Sequence, residues 1–149
     1  MVSVPLAPLL QEIITRERFD LDAQEIVIDI SEKTCVEADA SLLSIAISNI
    51  LRNARRYAGG QGSIEVTAIH YGEEIALTIA DHGPGVSPEV LPKLFDAFYR
   101  PDHPRHREEG GAGLGLAIAK SCLTACGGKI SAENRSPHGL IVTLVLKKC

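Results

Sequence analysis

Residues 81–120 read DHGPGVSPEV LPKLFDAFYR PDHPRHREEG GAGLGLAIAK. Two sets of glycines, Gly83 with Gly85 and Gly111 with Gly113 and Gly115, flank an aromatic and basic segment that lacks hydrophobic periodicity. Glycine stands where the backbone must turn sharply or approach a ligand closely. The second set runs straight into a helical pattern, so free N–H groups at a helix start would face an anion. The stretch therefore predicts a site for a phosphate-bearing ligand. The flanking sequence then has to supply a scaffold, a group that recognises a base, and a place for a cation.

Immediately upstream, Ser63 to His70 and Glu74 to Ala80 alternate like two antiparallel strands joined across Tyr71-Gly72-Glu73. In the second of them Ile75, Leu77, Ile79 and Asp81 fall on one face, so a carboxylate ends a hydrophobic stripe. Burying it costs several kcal/mol, roughly, without a partner. A ligand donor is one such partner and a backbone cap is another.

Further upstream, residues 42–58 read LLSIAISNILRNARRYA and predict the longest helix, with Leu43, Ile47, Ile50, Leu51 and Ala54 as a broad apolar stripe. Asp39 or Ser41 is its expected N-cap. Asn49, Asn53 and Arg56 stack in one row on another face, either a solvated edge or a polar line with a purpose. Before it, Glu25 to Ile30 and Cys35 to Ala38 read as strands, and Leu6 to Arg18 as a short amphipathic helix. Downstream of residue 85, Pro88 and Pro92 bracket a helical turn, and Leu94, Phe95 and Phe98 are apolar anchors. From Arg100 to Gly110 proline, histidine and alternating charge predict a mobile surface loop. Leu114 to Ala125 comes next as a helix, and Lys129 to Ala132 with Leu140 to Leu146 as a last strand pair.

Composition bounds the function. The 149 residues, 45% hydrophobic and 23% charged, make an ordinary globular chain of one domain. Such a chain buries roughly two-thirds of its unfolded surface. No apolar run nears the ~20 residues of a membrane span. Pro5 and Pro8 break the early apolar residues, against a signal peptide. A net charge of −4 and the absence of Trp argue against nucleic-acid binding. Cys35, Cys122, Cys126 and Cys149 show neither CxxC spacing nor the density of a secreted scaffold, so free thiols in a reducing compartment are expected.

Two phosphate motifs are excluded. GxxxxGK[ST] is absent, and neither glycine set reads GxGxxG in a βαβ unit. What remains is an ordered set: Asn49-x-x-x-Asn53 on a helix, Asp81-x-Gly83-x-Gly85 after a strand, Phe95-x-x-Phe98 before a loop, and Gly111-x-Gly113-x-Gly115 opening a helix. This set resembles the N, G1, F and G2 boxes of the ATP-binding catalytic domain of two-component sensor histidine kinases, in the GHKL superfamily.

The resemblance implies a two-layer α/β sandwich of the Bergerat, or GHKL, type: a mixed, mostly antiparallel sheet with helices on one face and an ATP lid. Residues 1–18 are then expected as a residual helix or linker from a dimerisation and phosphoacceptor domain, and residues 19–149 as the catalytic domain. By the same resemblance, Asp81 accepts a hydrogen bond from the adenine amine, and Gly83 and Gly85 let the chain turn beside the base. Asn53 and Asn49 hold Mg²⁺. Arg56 reaches the phosphates, Arg100 contacts phosphate or the partner domain, Tyr57 lies beside the phosphates, and Phe95 and Phe98 anchor the lid. Gly111, Gly113 and Gly115, with the amides of Leu114 and Leu116, cradle the phosphate tail.

The implied activity is transfer of the γ-phosphoryl group of ATP to a histidine on that other domain, and from there to a response regulator. None of His70, His82, His103, His106 and His138 sits in the helical His-Glu/Asp-x-x-x-Pro setting of a phosphoacceptor. No catalytic side chain is therefore assigned here. The implied location is cytoplasmic, without direct membrane contact, in a parent anchored in the inner membrane. A degenerate nucleotide-binding module and an anti-sigma-type serine kinase are the alternatives. Two departures stand out. Related ATPases carry a glutamate where this chain has Asn49, and the last strand begins Gly139-Leu140-Ile141 rather than with Gly-Thr or Gly-Ser.

Overall fold

A computed structural model describes residues 1–19, 25–58, 62–97 and 114–149. Its organising helix is α2 (Ala40–Ala58). Asp39 caps it, its Oδ1 accepting from Leu42 N–H at 3.0 Å and so satisfying one of the orphan donors of the first turn. The predicted stripe is the buried one: Leu43, Ile47, Ile50, Leu51 and Ala54 are all 5% exposed or less.

That stripe packs on a five-stranded sheet in the order β2 (Ile26–Asp29), β4 (Ile64–Tyr71), β5 (Glu74–Ala80), β7 (Leu140–Lys147), β6 (Lys129–Asn134). The β2–β4 pair is parallel and the rest are antiparallel. A parallel pair needs a crossover, and β3 (Cys35–Ala38) with α2 provides it. Strand alternation separates the two faces. Ile64, Val66, Ile75, Leu77, Ile79, Val142, Leu144 and Leu146 turn inward to one core cluster. On the other face Thr67, Thr78 and Thr143 lie side by side across three strands. The remaining cover is α3 (Gly115–Ala125), packed along α2 through Leu116, Ala119 and Leu123. The two-layer arrangement implied by the sequence blocks is the one adopted.

The first residues differ from the sequence reading. Val2–Pro5 form a strand, β1, paired antiparallel with β3 from Val2↔Ala38 to Pro5↔Cys35. Four residues ending in proline carry no strand signal by themselves; the partner makes the strand. The helix after it, α1 (Leu6–Arg16), ends two residues earlier than predicted, with Arg18 at φ 60°. Leu6, Leu9, Leu10, Ile13 and Ile14 belong to the same core cluster as the sheet, so this segment packs as part of the domain.

The cysteine expectation is corrected too. Cys35 and Cys149 form a disulfide with Cα atoms 5.7 Å apart, inside the usual range. They are 114 residues apart in sequence, and the bridge between Val36 and Lys148, with the Cys149 N–H donating to the Cys35 carbonyl at 3.4 Å, brings them together. Cys122 and Cys126 are buried thiols, and burial, with Cys126 beside it, pushes the Cys122 thiol up. Among the described residues no helix is long and apolar enough to cross a membrane.

Candidate nucleotide site

Asp81 continues the inward face of β5 and is 3% exposed. Its Oδ1 accepts two backbone hydrogen bonds, from Gly83 N–H at 2.8 Å and from Leu140 N–H at 3.2 Å. Among the described residues both hydrogen bonds fall on Oδ1 and none on Oδ2. Burial pushes the carboxyl above its ordinary range, against the lowering effect of those two N–H groups and of His82 and Arg135. A carboxylate that folding makes costly, oriented through one oxygen only, is the arrangement expected of a recognition group.

Asp81 opens on a cavity of about 270 Å³, open solvent included. Asn53 and Tyr57 line it from α2, Gly85 and Val86 from the loop after β5, Leu94 from the end of the 3₁₀ turn (Leu91–Lys93), and Leu140 from β7. The loop reaches α2 because Gly83 has no side chain: a Cβ there would lie 2.8 Å from the carbonyl oxygen of Tyr57 and 2.9 Å from Cα of Ala58.

One turn along α2 from Asn53, the Asn49 amide donates to the carbonyl of Ile45 at 2.8 Å. That fixes its orientation, with Oδ1 toward the start of α3, 3.4 Å from where a Cβ on Gly115 would be. Arg56 is exposed on the same row. At α3 Leu114, the cap residue, makes no side-chain cap hydrogen bond among the described residues, and the N–H groups of a helix start suit an anion. Leu116 is buried, and only its amide is at issue. Phe95 is half-buried against the core. The structure thus brings Asn49, Asn53, Tyr57, Asp81, Gly83, Gly85 and the start of α3 to one side of the sheet. Phe98, Arg100, Gly111 and Gly113, with the expected lid, lie outside the described residues.

Sequence reasoning missed the walls Val86, Leu94 and Leu140, and a second group behind the loop. The end of β6 supplies Asn134, and the turn from β6 to β7 supplies Arg135 and His138. Asn134 bonds both polar groups of Val86, at 2.9 Å to the N–H and 2.6 Å to the carbonyl. His138 Nδ1 lies 3.0 Å from the Gly83 carbonyl, and Arg135 donates to the Asp81 carbonyl at 3.4 Å. Glu65 on β4 holds Arg135 at 2.9 Å and His82 at 3.2 Å. Burial pushes the Glu65 carboxyl up, but the His82 hydrogen bond and the Arg135 charge outweigh it and hold the group below its ordinary range. Asn-Arg-Ser-Pro-His-Gly reads as turn chemistry, a signal for the turn but not for its target. Leu140, where the family pattern has Thr or Ser, donates its backbone N–H to Asp81 Oδ1.

The sequence family described as Histidine kinase-, DNA gyrase B-, and HSP90-like ATPase matches residues 38–149. The signal transduction histidine-protein kinase BaeS of Escherichia coli K12 is 36% identical over 145 residues, covering 96% of this chain and 31% of BaeS. The sensor histidine kinase CpxA of the same strain is 44% identical over 109 residues, covering 71% of this chain and 23% of CpxA. The chain therefore spans about a third or less of the length of these relatives. Among solved structures, the mycobacterial sensor histidine kinase MprB superposes with a TM-score of 0.84 at 26% identity, covering 99% of this chain and 97% of that one. Full-length ShkA, solved in complex with AMPPNP, superposes with a TM-score of 0.82 at 26% identity, covering 99% of this chain and 31% of that one. Family, fold and ordered blocks agree: the chain belongs to the histidine kinase-, DNA gyrase B- and HSP90-like ATPases, as a catalytic domain of the sensor histidine kinase type.

Proposed function

We propose that this domain binds Mg²⁺·ATP in the cavity above Asp81 and donates the γ-phosphoryl group to a histidine on a separate dimerisation and phosphoacceptor domain. The observation that carries this reading is Asp81, buried among the cavity-lining residues with its two hydrogen bonds to described backbone donors both on Oδ1. Oδ2 would accept the exocyclic amine of adenine, with Gly83 and Gly85 beside the base and Phe95 and Phe98 flanking the lid. The triphosphate would run along the Asn49 row to the amides of Leu114, Gly115 and Leu116, joined by Gly111 and Gly113. Tyr57 would lie beside it, and Arg56 and Arg100 would neutralise its charge.

The donors on α2 fit Mg²⁺ as two neutral amide oxygens, Asn53 and Asn49, which suit a hard cation whose charge is matched by the phosphates. Among the described residues no cluster of three His, Cys, Asp or Glu offers an alternative metal site. When bound, the ion would neutralise the phosphate oxygens as charge shifts toward the leaving ADP. The chain's own part is positioning, which for phosphoryl transfer is most of the work.

By its resemblance to sensor histidine kinases, the domain would sit in the cytoplasm, in a parent anchored in the inner membrane that passes phosphate to a response regulator. Residues 1–18 would join residues 19–149 to the phosphoacceptor part.

Asn49 cannot act as the general base that a glutamate supplies in related ATPases, so the chain alone should bind ATP and release little phosphate. Mixing it with Mg²⁺·ATP and its parent's phosphoacceptor domain should yield an acid-labile, base-stable phosphoprotein. An acid-stable product would mean serine transfer instead. Rapid phosphate release by the chain alone would overturn the role given to Asn49.

A further inference from the structure

We propose that Asn134 at the end of β6, and Arg135 and His138 on the turn that follows it, are positioning residues for base recognition: they hold the 81–86 loop so that Asp81 meets a 6-aminopurine. The inference rests on the adenine reading of Asp81.

Residues 81–86 belong to neither a helix nor a strand, so their backbone polar groups need partners from elsewhere. For Val86 N–H and the Val86, Gly83 and Asp81 carbonyls, those partners are side chains about fifty positions later in the chain. Asn134 treats Val86 as a neighbouring strand would, accepting from its N–H at 2.9 Å and donating to its carbonyl at 2.6 Å. His138 takes the Gly83 carbonyl and Arg135 the Asp81 carbonyl, while Glu65 steadies Arg135 from β4. The loop is thus gripped at its start, middle and end. Its glycines leave room for the grip: a Cβ on Gly85 would stand 2.7 Å from Asn134 Oδ1.

Magnitudes separate positioning from plain stabilisation. Asn134 is exposed, and hydrogen bonds to exposed groups add little to folding. A misplacement of about 1 Å at a recognition group, by contrast, can cost roughly a hundredfold in function. Val86 and Gly85 line the cavity, and Gly83 N–H is one of the two donors that aim Asp81. Loosening the grip therefore acts first on the base and only weakly on the fold.

The test compares the affinity of the full chain for ATP and for ITP, whose purine carries an oxo group in place of the amine, in the wild type, Asn134→Ala and Asp81→Asn. Asn134→Ala should weaken ATP about tenfold and leave ITP within about twofold, so the ATP-to-ITP preference falls while the melting temperature hardly moves. Asp81→Asn should lower the same preference further. If Asp81→Asn lowers it and Asn134→Ala does not, the positioning role is overturned and the adenine reading stands. If Asn134→Ala weakens both nucleotides equally, the residue is structural and the proposal fails. If Asp81→Asn leaves the preference untouched, the adenine reading fails and takes this proposal with it. Should Asn134→Ala not fold, Asn134→Asp keeps the oxygen that receives Val86 N–H and should show a smaller drop in the same direction.

Discussion

Asp81→Asn should weaken ATP binding by about 1–3 kcal/mol, roughly five- to 150-fold, while leaving the empty domain as stable as before or more so. The two effects have one origin. The amide oxygen of Asn can still accept from Gly83 and Leu140 N–H, so the loop keeps its anchor. What disappears is the charge, which burial makes costly. Because the folded-state pKa is raised, the proton on Asp81 favours the folded form. That contribution is complete below the ordinary carboxylate range and is lost as pH rises through the folded value. Once ionised, Asp81 is a net cost to the domain without ligand, a familiar trade of stability for function. Thermal melts from pH 4 to 8 should show the variant gaining on the wild type as pH rises, and calorimetric titration should show the loss of affinity. A variant that is less stable when empty and binds ATP unchanged would remove Asp81 from the base.

Gly139→Ala should cost about 2–5 kcal/mol of stability, a large part of the roughly 5–15 kcal/mol that holds a domain together. Gly139 sits at φ 123°, where a side chain is strained, and a Cβ there would run into the carbonyl oxygen of Asp81. That oxygen is backbone and cannot swing away. Asp81 N–H also bonds the Leu140 carbonyl at 3.0 Å, and Arg135 N–H the Gly139 carbonyl at 2.8 Å, so both chains are tied at this point. Gly72→Ala is the control. Its φ is 55° but nothing lies within 4 Å of a Cβ, so it should lose only about 1 kcal/mol. Urea unfolding of the two variants measures the difference, and equal losses would show that the approach to Asp81 is unimportant. Because the collision falls on Asp81 itself, ATP affinity should drop in Gly139→Ala even where the protein remains folded.

Local patterns carried much of this structure. The apolar stripe of α2 and its Asp39 cap can be read directly, because a 3.6-residue period and a side-chain cap are properties of one segment. The alternation Ile75, Leu77, Ile79, Asp81 likewise announces a carboxylate on the buried face, where it lies. Features that need two distant segments were silent. β1 exists through β3, the Cys35–Cys149 bond through the neighbouring end of β7, and the grip of Asn134 on Val86 through the end of a strand 48 residues away. In each case the sequence holds ordinary residues, a short Val-Ser-Val-Pro, two widely separated cysteines and a polar turn, whose meaning depends on register. The resemblance to a family supplied the expected roles of Asn49, Asn53 and the glycines, while Leu140, whose side chain departs from the pattern, donates its backbone N–H to Asp81.

The Cys35–Cys149 bond changes how the molecule carries load. With it formed, residues 35–149 are a covalently closed ring that contains Asn49, Asn53, Asp81 and the start of α3. A pull applied between residues 1 and 149 then travels along the first 35 residues and leaves through the two sulfurs. It strains the pairings of β1 with β3 and β2 with β4, while the cavity stays off the line of force. With the bond reduced, the same pull would run through β5, α3 and β7. Motion of an attached segment would then be felt at the cavity walls in the dithiol form and shunted past them in the disulfide form.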